Sequence, residues 1–262
     1  MNTSARLVAT LTAPLPFSGA DDAPSVLSRP GGWRLVQRGD TEVVVRDAAR
    51  AGAAAPEPAE VRFPAPWPRR FGGYAVAPTG DLAVFAGPHA LRAVDITGAV
   101  RWELWHRCWA VDRFGDEDRV LLAVSPSGGR LLTVTHDQDA LTVHRAADGT
   151  GSGPDADGWS VEGELGADVL PGHPEAEPGD EDACVFFDYE GGFVDEGTAV
   201  VGTVESDEES GAGRHWFVDL TGLRVTGEIA YPFPVSGLPR ALGDGTWYTA
   251  SAEDDALHVW AR

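Results

Sequence analysis

The sequence predicts an all-β protein built from five repeated units, and three observations support this prediction. The same order of a glycine-containing turn, an apolar strand, a short polar loop and a second apolar strand occurs five times along the chain. These units recur at a spacing of roughly 45 residues, which is typical of radial arrays of small sheets. The 32 Gly and 19 Pro suit many short strands and turns. No ten-residue stretch has clean helical periodicity.

Each unit extends naturally to four strands. The repeated core spans Arg29–Asp47, Pro78–Asp95, Pro126–His144, Asp195–Asp219 and Gly243–Trp260. Apolar segments that can form a preceding strand are Ser25–Leu27, Tyr74–Ala77, Val120–Val124, Gly192–Val194 and Leu238–Leu242. Segments that can form a following edge strand are Glu60–Phe63, Val100–Trp105, Trp159–Leu165 and Leu223–Ala230. Four strands in chain order make the blade of a β-propeller, so we expect one propeller domain over residues 1–262.

The last unit lacks an edge strand of its own, because it ends at Trp260, two residues before the end of the sequence. A strand-like segment at Arg6–Thr12 has no place in the other units. Pairing this segment with the last blade would close the ring and remove an exposed sheet edge. Five blades is the favoured count. Six is the alternative, if Cys184–Glu190 and its neighbours form an additional irregular blade.

The third and fifth units resemble the WD-repeat class of β-propellers. Ser125–Val134 followed by Asp139–His144 has the turn, strand, hairpin and strand order of that class, and Asp255–Trp260 is similar to its closing strand. No Trp-Asp dipeptide ends a strand, and the blade spacing is longer and less even. The resemblance therefore implies a propeller architecture and carries over no catalytic residue.

Two segments lie outside the repeat. Residues 48–58 are rich in Ala and Pro and are predicted to form a linker between the first two blades. Residues 148–182 form a long acidic insert rich in Gly and Pro, which should be loop apart from the strand at Trp159–Leu165. Long loops in compact domains are commonly either functional or disordered. This insert is therefore a candidate determinant of specificity.

Charge is distributed unevenly along the chain. Residues 1–145 contain 16 Arg and 16 Asp plus Glu, whereas residues 146–262 contain 4 Arg and 25 Asp plus Glu, and Lys is absent. The acidic half repels phosphate groups, so nucleic acid and membrane are not expected as direct partners. A basic protein, a basic peptide, a small basic molecule or a divalent cation would be attracted. The alternative is a solvated acidic surface that only aids solubility.

The N-terminal segment lacks the long apolar run of a signal peptide, and two cysteines do not make a disulfide framework. We therefore expect a cytoplasmic monomer with no obligatory cofactor, although a divalent cation remains an alternative.

Candidate catalytic and metal-binding residues come from a repeated pattern. Cys108 and Asp112, and again Cys184 and Asp188, share the spacing Cys-x-x-x-Asp, and His106 precedes Cys108 by two residues. On an extended strand such residues share a face. The thiols of Cys108 and Cys184 with the His106 imidazole could bind zinc. His106, Cys108, Asp112 and Asp188 are the candidate catalytic residues. The alternative is that both cysteines are small buried apolar residues.

Candidate ligand-binding residues are aromatic or lie in a hairpin. Trp105 and Trp109 flank a base and a cation in a short stretch, and such rings could bind an apolar ligand or peptide side chain. His136 lies beside Asp137 in the hairpin of the third unit, where the two could support acid–base chemistry. The alternatives are tryptophans that fill gaps between blades and an ordinary hairpin.

Two functional hypotheses follow. The first is a non-enzymatic binding or scaffold propeller that recognises a basic partner at a channel mouth. The second is an enzyme, a hydrolase, lyase or cyclase, with a site around Trp105–Trp109 that works with or without a metal. The first is favoured because the sequence contains no serine-nucleophile elbow, phosphate-binding glycine loop, dinucleotide fingerprint or His-Glu-x-x-His motif.

Overall fold

A computed structural model gives the fold of the chain. It describes residues 3–18, 23–50, 60–69, 73–77, 80–87, 90–105, 119–135, 137–146, 159–172, 184–205, 214–235 and 237–262. The chain divides into two compact units. Unit 1 comprises residues 1–8, 114–249 and 258–262, and unit 2 comprises residues 9–113 and 250–257.

The described residues form five β-sheets. The chain begins with β1 (Thr3–Ser4) and β2 (Arg6–Thr12). Blade 1 contains β3 (Ser25–Arg29), β4 (Gly32–Arg38), β5 (Glu42–Ala49) and β6 (Glu60–Pro64). Blade 2 contains β7 (Tyr74–Val76), β8 (Leu82–Ala86), β9 (Ala90–Asp95) and β10 (Val100–Trp105). Blade 3 contains β11 (Arg119–Val124), β12 (Arg130–Thr135), β13 (Ala140–Ala146) and β14 (Trp159–Gly166), followed by a 3-10 turn at Ala167–Val169. Blade 4 contains β15 (Val185–Asp195), β16 (Thr198–Glu205), β17 (His215–Asp219) and β18 (Arg224–Ala230). Blade 5 contains β19 (Arg240–Ala241), β20 (Thr246–Ser251) and β21 (Ala256–Ala261).

Strand order confirms the predicted fold class, an all-β propeller of five blades. In blades 1 to 4 the four strands follow one another in chain order, and each consecutive pair is antiparallel. The six-blade alternative is wrong, because residues 185–190 belong to β15, the first strand of blade 4.

The N-terminal strands join sheets from the other end of the chain. The fifth sheet has the order β19, β20, β21, β2, and β1 pairs in parallel with β18 through Thr3 opposite Ile229. Just beyond β2, the Ala13 N–H donates to the Asp255 carbonyl at 2.8 Å. The further expectation, that this strand closes a ring of blades, stays a prediction.

The strand β15 differs from the sequence-based expectation. It begins at Val185 rather than at Gly192, and its pairing with β16 shifts between Phe187 and Gly191. Phe187 lies opposite Thr203 and Gly191 opposite Val201, so residues 188–190 all oppose Gly202 alone. This β-bulge breaks the apolar alternation that identifies a strand in the sequence. The first half of β15 therefore has no clear strand pattern.

Unit 1 contains two apolar clusters formed by blades 3 to 5. One places Leu132 and Leu141 of blade 3 with Phe187 and Phe193 of blade 4. The other is aromatic: its largest members are Phe217, Trp247 and Trp260, with Val194, Val200 and Ile229. Burial of each large side chain stabilises the unit by roughly 1.5–3 kcal/mol. Blade 4 is therefore covered by apolar side chains on both faces.

Three first strands meet at Gly192 in unit 1. A Cβ atom at this position would lie 3.2 Å from the Ala123 Cβ of β11 and 3.3 Å from the Ala241 Cβ of β19. The backbone of Gly192 also has a φ of +151°, which side-chain-bearing residues rarely adopt. Glycine is therefore required where these strands approach one another.

Unit 2 has its own core, in which Val36, Val43, Val45 and Phe63 of blade 1 contact Ala83, Phe85 and Val94 of blade 2. The linker predicted from residue 48 starts later than expected, because β5 continues to Ala49, and residues 51–59 lie outside the described residues. Most of the acidic insert, residues 147–158 and 173–183, also lies outside them. Within the described ranges, no helix is long and apolar enough to cross a bilayer.

Candidate binding site on blade 4

Most candidate residues from the sequence lie where the structure gives no description. His106, Cys108, Trp109, Asp112 and His136 are outside the described residues, and of Trp105 only its place at the end of β10 is described. Their predicted roles stay predictions.

The other two candidates lie at the start of blade 4. Cys184 is exposed, forms no disulfide within the described residues and directly precedes β15, while Asp188 is a half-buried residue within that strand. Among the residues that the structure describes, no group of three His, Cys, Asp or Glu side chains could hold a metal ion.

Asp188 lies in the bulge of β15, and its surroundings favour the uncharged form. Its carboxylate accepts the Glu190 N–H at 3.2 Å. Burial raises the pKa of the Asp188 carboxyl above its ordinary value, and the nearby Glu190 charge acts in the same direction. In the part of the chain that is described, no Arg or His forms an ion pair with Asp188.

The negative charge of Glu190, two residues after Asp188 in the bulge, is already neutralised by an arginine. Arg240 of β19 donates from Nε to Glu190 Oε2 at 2.8 Å and from Nη2 to Glu190 Oε1 at 2.6 Å. Burial alone would lower the pKa of Arg240, but Tyr248 and Glu190 outweigh it and hold that pKa above its ordinary value. Such a two-point pair is the strongest form of arginine–carboxylate contact. It joins the first strands of blades 4 and 5.

Gly202 shows which face of blade 4 carries the Asp188 side chain. A Cβ atom at Gly202 would lie 3.2 Å from Pro239 Cδ, 3.4 Å from Asp188 Cβ and 3.5 Å from Leu238 Cδ2. His215 pairs with Gly202 across β16 and β17, and residues paired in this way point to the same side of a sheet. Asp188 and His215 therefore flank Gly202 on one face, next to the segment that leads into β19.

A buried hydrogen-bond chain holds His215. The Trp247 Nε1–H donates to the Tyr231 hydroxyl at 3.0 Å, and that hydroxyl lies 2.8 Å from His215 Nδ1. Because the hydroxyl already accepts from Trp247, its own proton is best placed on the bond to Nδ1, which leaves the histidine proton on Nε2. Burial lowers the pKa of His215 to about 4 and raises the pKa of Tyr231 above its ordinary value. His215 is therefore neutral at pH 7.

Aromatic rings surround this chain of hydrogen bonds. Phe217 meets Trp247 edge-on with ring centroids 5.1 Å apart, and Tyr231 meets Trp260 at 4.8 Å. The Trp260 Nε1–H donates to Thr249 Oγ1 at 3.0 Å. Phe233 is partly exposed, and its ring centroid lies 5.2 Å from that of Trp260. The aromatic wall excludes water, so charges near it interact more strongly than at an open surface.

Ionisable groups with shifted pKa values gather in this part of unit 1. Burial is the main cause of the pKa shifts of Asp188, His215 and Tyr231, whereas Tyr248 and Glu190 raise the pKa of Arg240 against the effect of burial. Clusters of perturbed ionisable groups are a common mark of functional sites. The arrangement can hold a cation at Asp188, whereas Tyr231, with its raised pKa, is poorly suited to act as a nucleophile.

Sequence analysis identified Asp188 but missed Glu190, His215, Tyr231 and Arg240. Glu190 and Arg240 are 50 residues apart, and His215 and Tyr231 are 16 apart. Packing of blade 4 against blade 5 brings Glu190 to Arg240, and the antiparallel pairing of β17 with β18 within blade 4 brings His215 to Tyr231. The one available signal was His215 itself, a lone ionisable residue at the start of the apolar strand His215–Asp219.

No protein-family model matches the chain, and no curated protein sequence is similar to it. Among solved structures, the chain is similar to the WD40 domain of Toxoplasma gondii coronin, with 12% identity, 94% of this chain and 69% of that one covered, and a TM-score of 0.46. It is also similar to the Cps50 (Swd1) β-propeller domain of Myceliophteria thermophila, with 11% identity, 88% and 67% coverage and a TM-score of 0.40. A third likeness is to the glutaminyl cyclase of Myxococcus xanthus, with 12% identity, 98% and 95% coverage and a TM-score of 0.39.

Proposed function

We propose that the chain is a non-enzymatic binding propeller that recognises a protein, peptide or small ligand of basic character. The observation that carries this proposal is the charge of unit 1. Its residues include 8 Arg and 27 Asp plus Glu, a net charge of −19, whereas unit 2 has 12 Arg and 14 Asp plus Glu, a net charge of −2. A field of one sign attracts ligands of the opposite sign and speeds their association.

Four of the eight arginines of unit 1 form ion pairs with three of its carboxylates, and its 27 carboxylates far outnumber its arginines. Arg130 and Arg145 both bind Glu162 at 2.6 Å. Arg224 binds Asp219 at 3.1 Å, and Arg240 binds Glu190. The surplus of carboxylates is therefore available to a basic partner rather than consumed by internal ion pairs.

Several finer expectations accompany this proposal. We expect the partner to bind where loops of several blades meet at a channel mouth, and we expect a cytoplasmic monomer that binds neither nucleic acid nor membrane. The enzyme hypothesis around Trp105–Trp109 stays a prediction, because that stretch lies almost wholly outside the described residues.

Binding to charge-matched peptides tests the proposal. The protein would be immobilised and exposed to a Gly/Ser peptide with several arginines, to the same peptide with citrulline, and to one with glutamate. We expect binding of the arginine peptide to weaken at least about tenfold between about 50 mM and about 300 mM salt, because salt screens exposed charges. Equal binding of the citrulline peptide, or no salt dependence, would contradict the proposal.

A further inference from the structure

We infer that the bulge of β15 is the anchoring subsite of this binding surface, and that Asp188 takes the cationic end of one arginine or lysine side chain of a peptide. The inference rests on the proposed function and adds the residue and the chemical group. It concerns a single face of unit 1, which carries Asp188, Gly202 and His215.

The charge of the bulge comes from one side chain. Two carboxylates lie there, but both oxygens of Glu190 are engaged by Arg240 at 2.6 and 2.8 Å. Among the described residues, Asp188 receives only backbone N–H groups, those of Glu190 and Tyr189. Within that part of the chain, one negative charge is therefore left without a cation at a half-buried position.

A half-buried carboxylate without a cation is unfavourable for the free protein. Leaving water costs the charged form free energy, and one or two backbone N–H groups recover only part of it. A guanidinium or ammonium group would recover the rest, and its attraction would be strengthened because Pro239 and Leu238 line the same face. The charged form of Asp188 thus destabilises the free protein and would stabilise a complex with a cationic group.

His215 supplies a second, neutral group on this face. Its side chain is 5% exposed, its Nδ1 is committed to Tyr231, and its Nε2 carries the remaining ring proton. No hydrogen bond from Nε2 to the described part of the chain is present. A carboxylate acceptor and a neutral N–H donor on either side of Gly202 match a cationic side chain whose own backbone supplies a carbonyl. This favours a residue within a peptide over a free amine.

Asp188→Asn is the direct test, because it keeps the shape of the side chain and removes its charge. The probe is a capped Gly/Ser peptide with one arginine, compared with the same peptide carrying lysine or citrulline. We expect Asp188→Asn to weaken binding of the arginine peptide at least about tenfold, about 1.4 kcal/mol. Glu228→Gln in β18 removes the same charge from the same blade and should change affinity less than about twofold.

Two further measurements separate this inference from a folding defect and from the proposed function. Asp188→Asn should raise the melting temperature slightly, because it removes an unpaired buried charge. Gly202→Ala should weaken binding without removing a charge, because its Cβ would crowd Asp188 and Pro239. If both variants fold and bind the arginine peptide as tightly as the parent protein, the inference is overturned while salt-dependent binding still supports the proposed function. If the parent protein binds no cationic peptide at all, both fail.

Discussion

Arg38 in unit 2 is a buried charged side chain and Asp188 in unit 1 is a half-buried one, and the two differ in their hydrogen-bond partners. Arg38 is 6% exposed and lies at the end of β4. Its guanidinium donates to the carbonyl oxygens of Gly39 at 2.7 Å, Glu42 at 3.3 Å and Trp67 at 2.6 Å, and it lies over the Phe85 ring. Three backbone carbonyls thus accept hydrogen bonds from the buried cation, whose Nε alone has no acceptor among the described residues, while Asp188 accepts from only two backbone N–H groups there.

The difference teaches where a ligand is needed. In unit 2, charged side chains form ion pairs with one another: Arg46 and Arg62 both bind Glu60, and Arg62 also binds Glu42 at 2.6 Å. Burial lowers the pKa of Arg38, yet a guanidinium keeps its proton throughout the physiological range. Unit 1 instead buries groups that titrate, His215 and Asp188. Between pH 6.5 and about 4, protons should therefore act mainly on unit 1, as should external cations, whereas the paired carboxylates of unit 2, with lowered pKa values, respond only at lower pH.

Acid should give the largest effect. The pKa of His215 falls from 6.5 to about 4 on folding, so below pH 6.5 the unfolded chain binds a proton that the folded chain does not. Stability is therefore lost as pH falls through this window, by roughly 3 kcal/mol in full. Urea unfolding between these pH values measures the loss, and hydrogen exchange should show blade 4 opening before blade 1.

His215→Gln provides the control for the acid experiment. This variant should be less stable at pH 7, because Tyr231 loses its partner, but its stability should change much less between pH 6.5 and 4. A parallel loss of stability in both proteins would show that His215 is not the source.

A matched pair of tryptophans should give the next largest effect. The Trp247 Nε1–H donates to Tyr231, whereas the Trp33 Nε1–H of unit 2 is buried without an acceptor in the described part of the chain. Both rings are almost fully buried. Trp247→Phe should cost about 3 kcal/mol, since it loses ring volume and a hydrogen bond, and Trp33→Phe should cost about 1–2 kcal/mol less. Equal costs in chemical denaturation would contradict the difference between the units.

Replacing Arg38 should give the smallest effect. Arg38→Met removes a buried charge and leaves no buried counter-charge, but three carbonyl acceptors lose a donor, so we expect a cost of about 1 kcal/mol. Arg38→Lys keeps the charge but offers fewer donors to the three carbonyls, so it should cost about 1 kcal/mol more. Neither variant should alter binding of a basic peptide. A loss of binding in Arg38→Met would link unit 2 to the ligand.

The sequence is a good guide where a strand keeps its alternation. The predicted edge strand Val100–Trp105 has the bounds of β10, and Glu60–Phe63 and Trp159–Leu165 each fall one residue short of β6 and β14. Turn glycines and β-branched residues are sufficient to predict the bounds of these strands, because turn residues mark both ends of each strand. In β15 the bulge and the glycines 191 and 192 interrupt the pattern, so only its second half was predictable.

The candidate site was less predictable because its parts come from different blades. Asp188 was found through a Cys-x-x-x-Asp spacing that has no structural role in the described residues, since Cys184 precedes the strand and is exposed. Arg240 and Tyr231 acquire their importance only from the packing of β19 and β20 against blade 4. Local pattern contains no information about such pairings.

The sheet that joins β2 to β21 has a consequence for how the protein is made. Residues 6–12 are synthesised well before the strand that they pair with, residues 256–261. The sheet of blade 5 can therefore be completed only after residues 256–261 have been made, and such distant pairing slows folding. Meanwhile the waiting strand is a potential site of aggregation. Its composition limits this hazard: of its seven residues only Leu11 is buried in the finished fold, and it begins with a charged arginine.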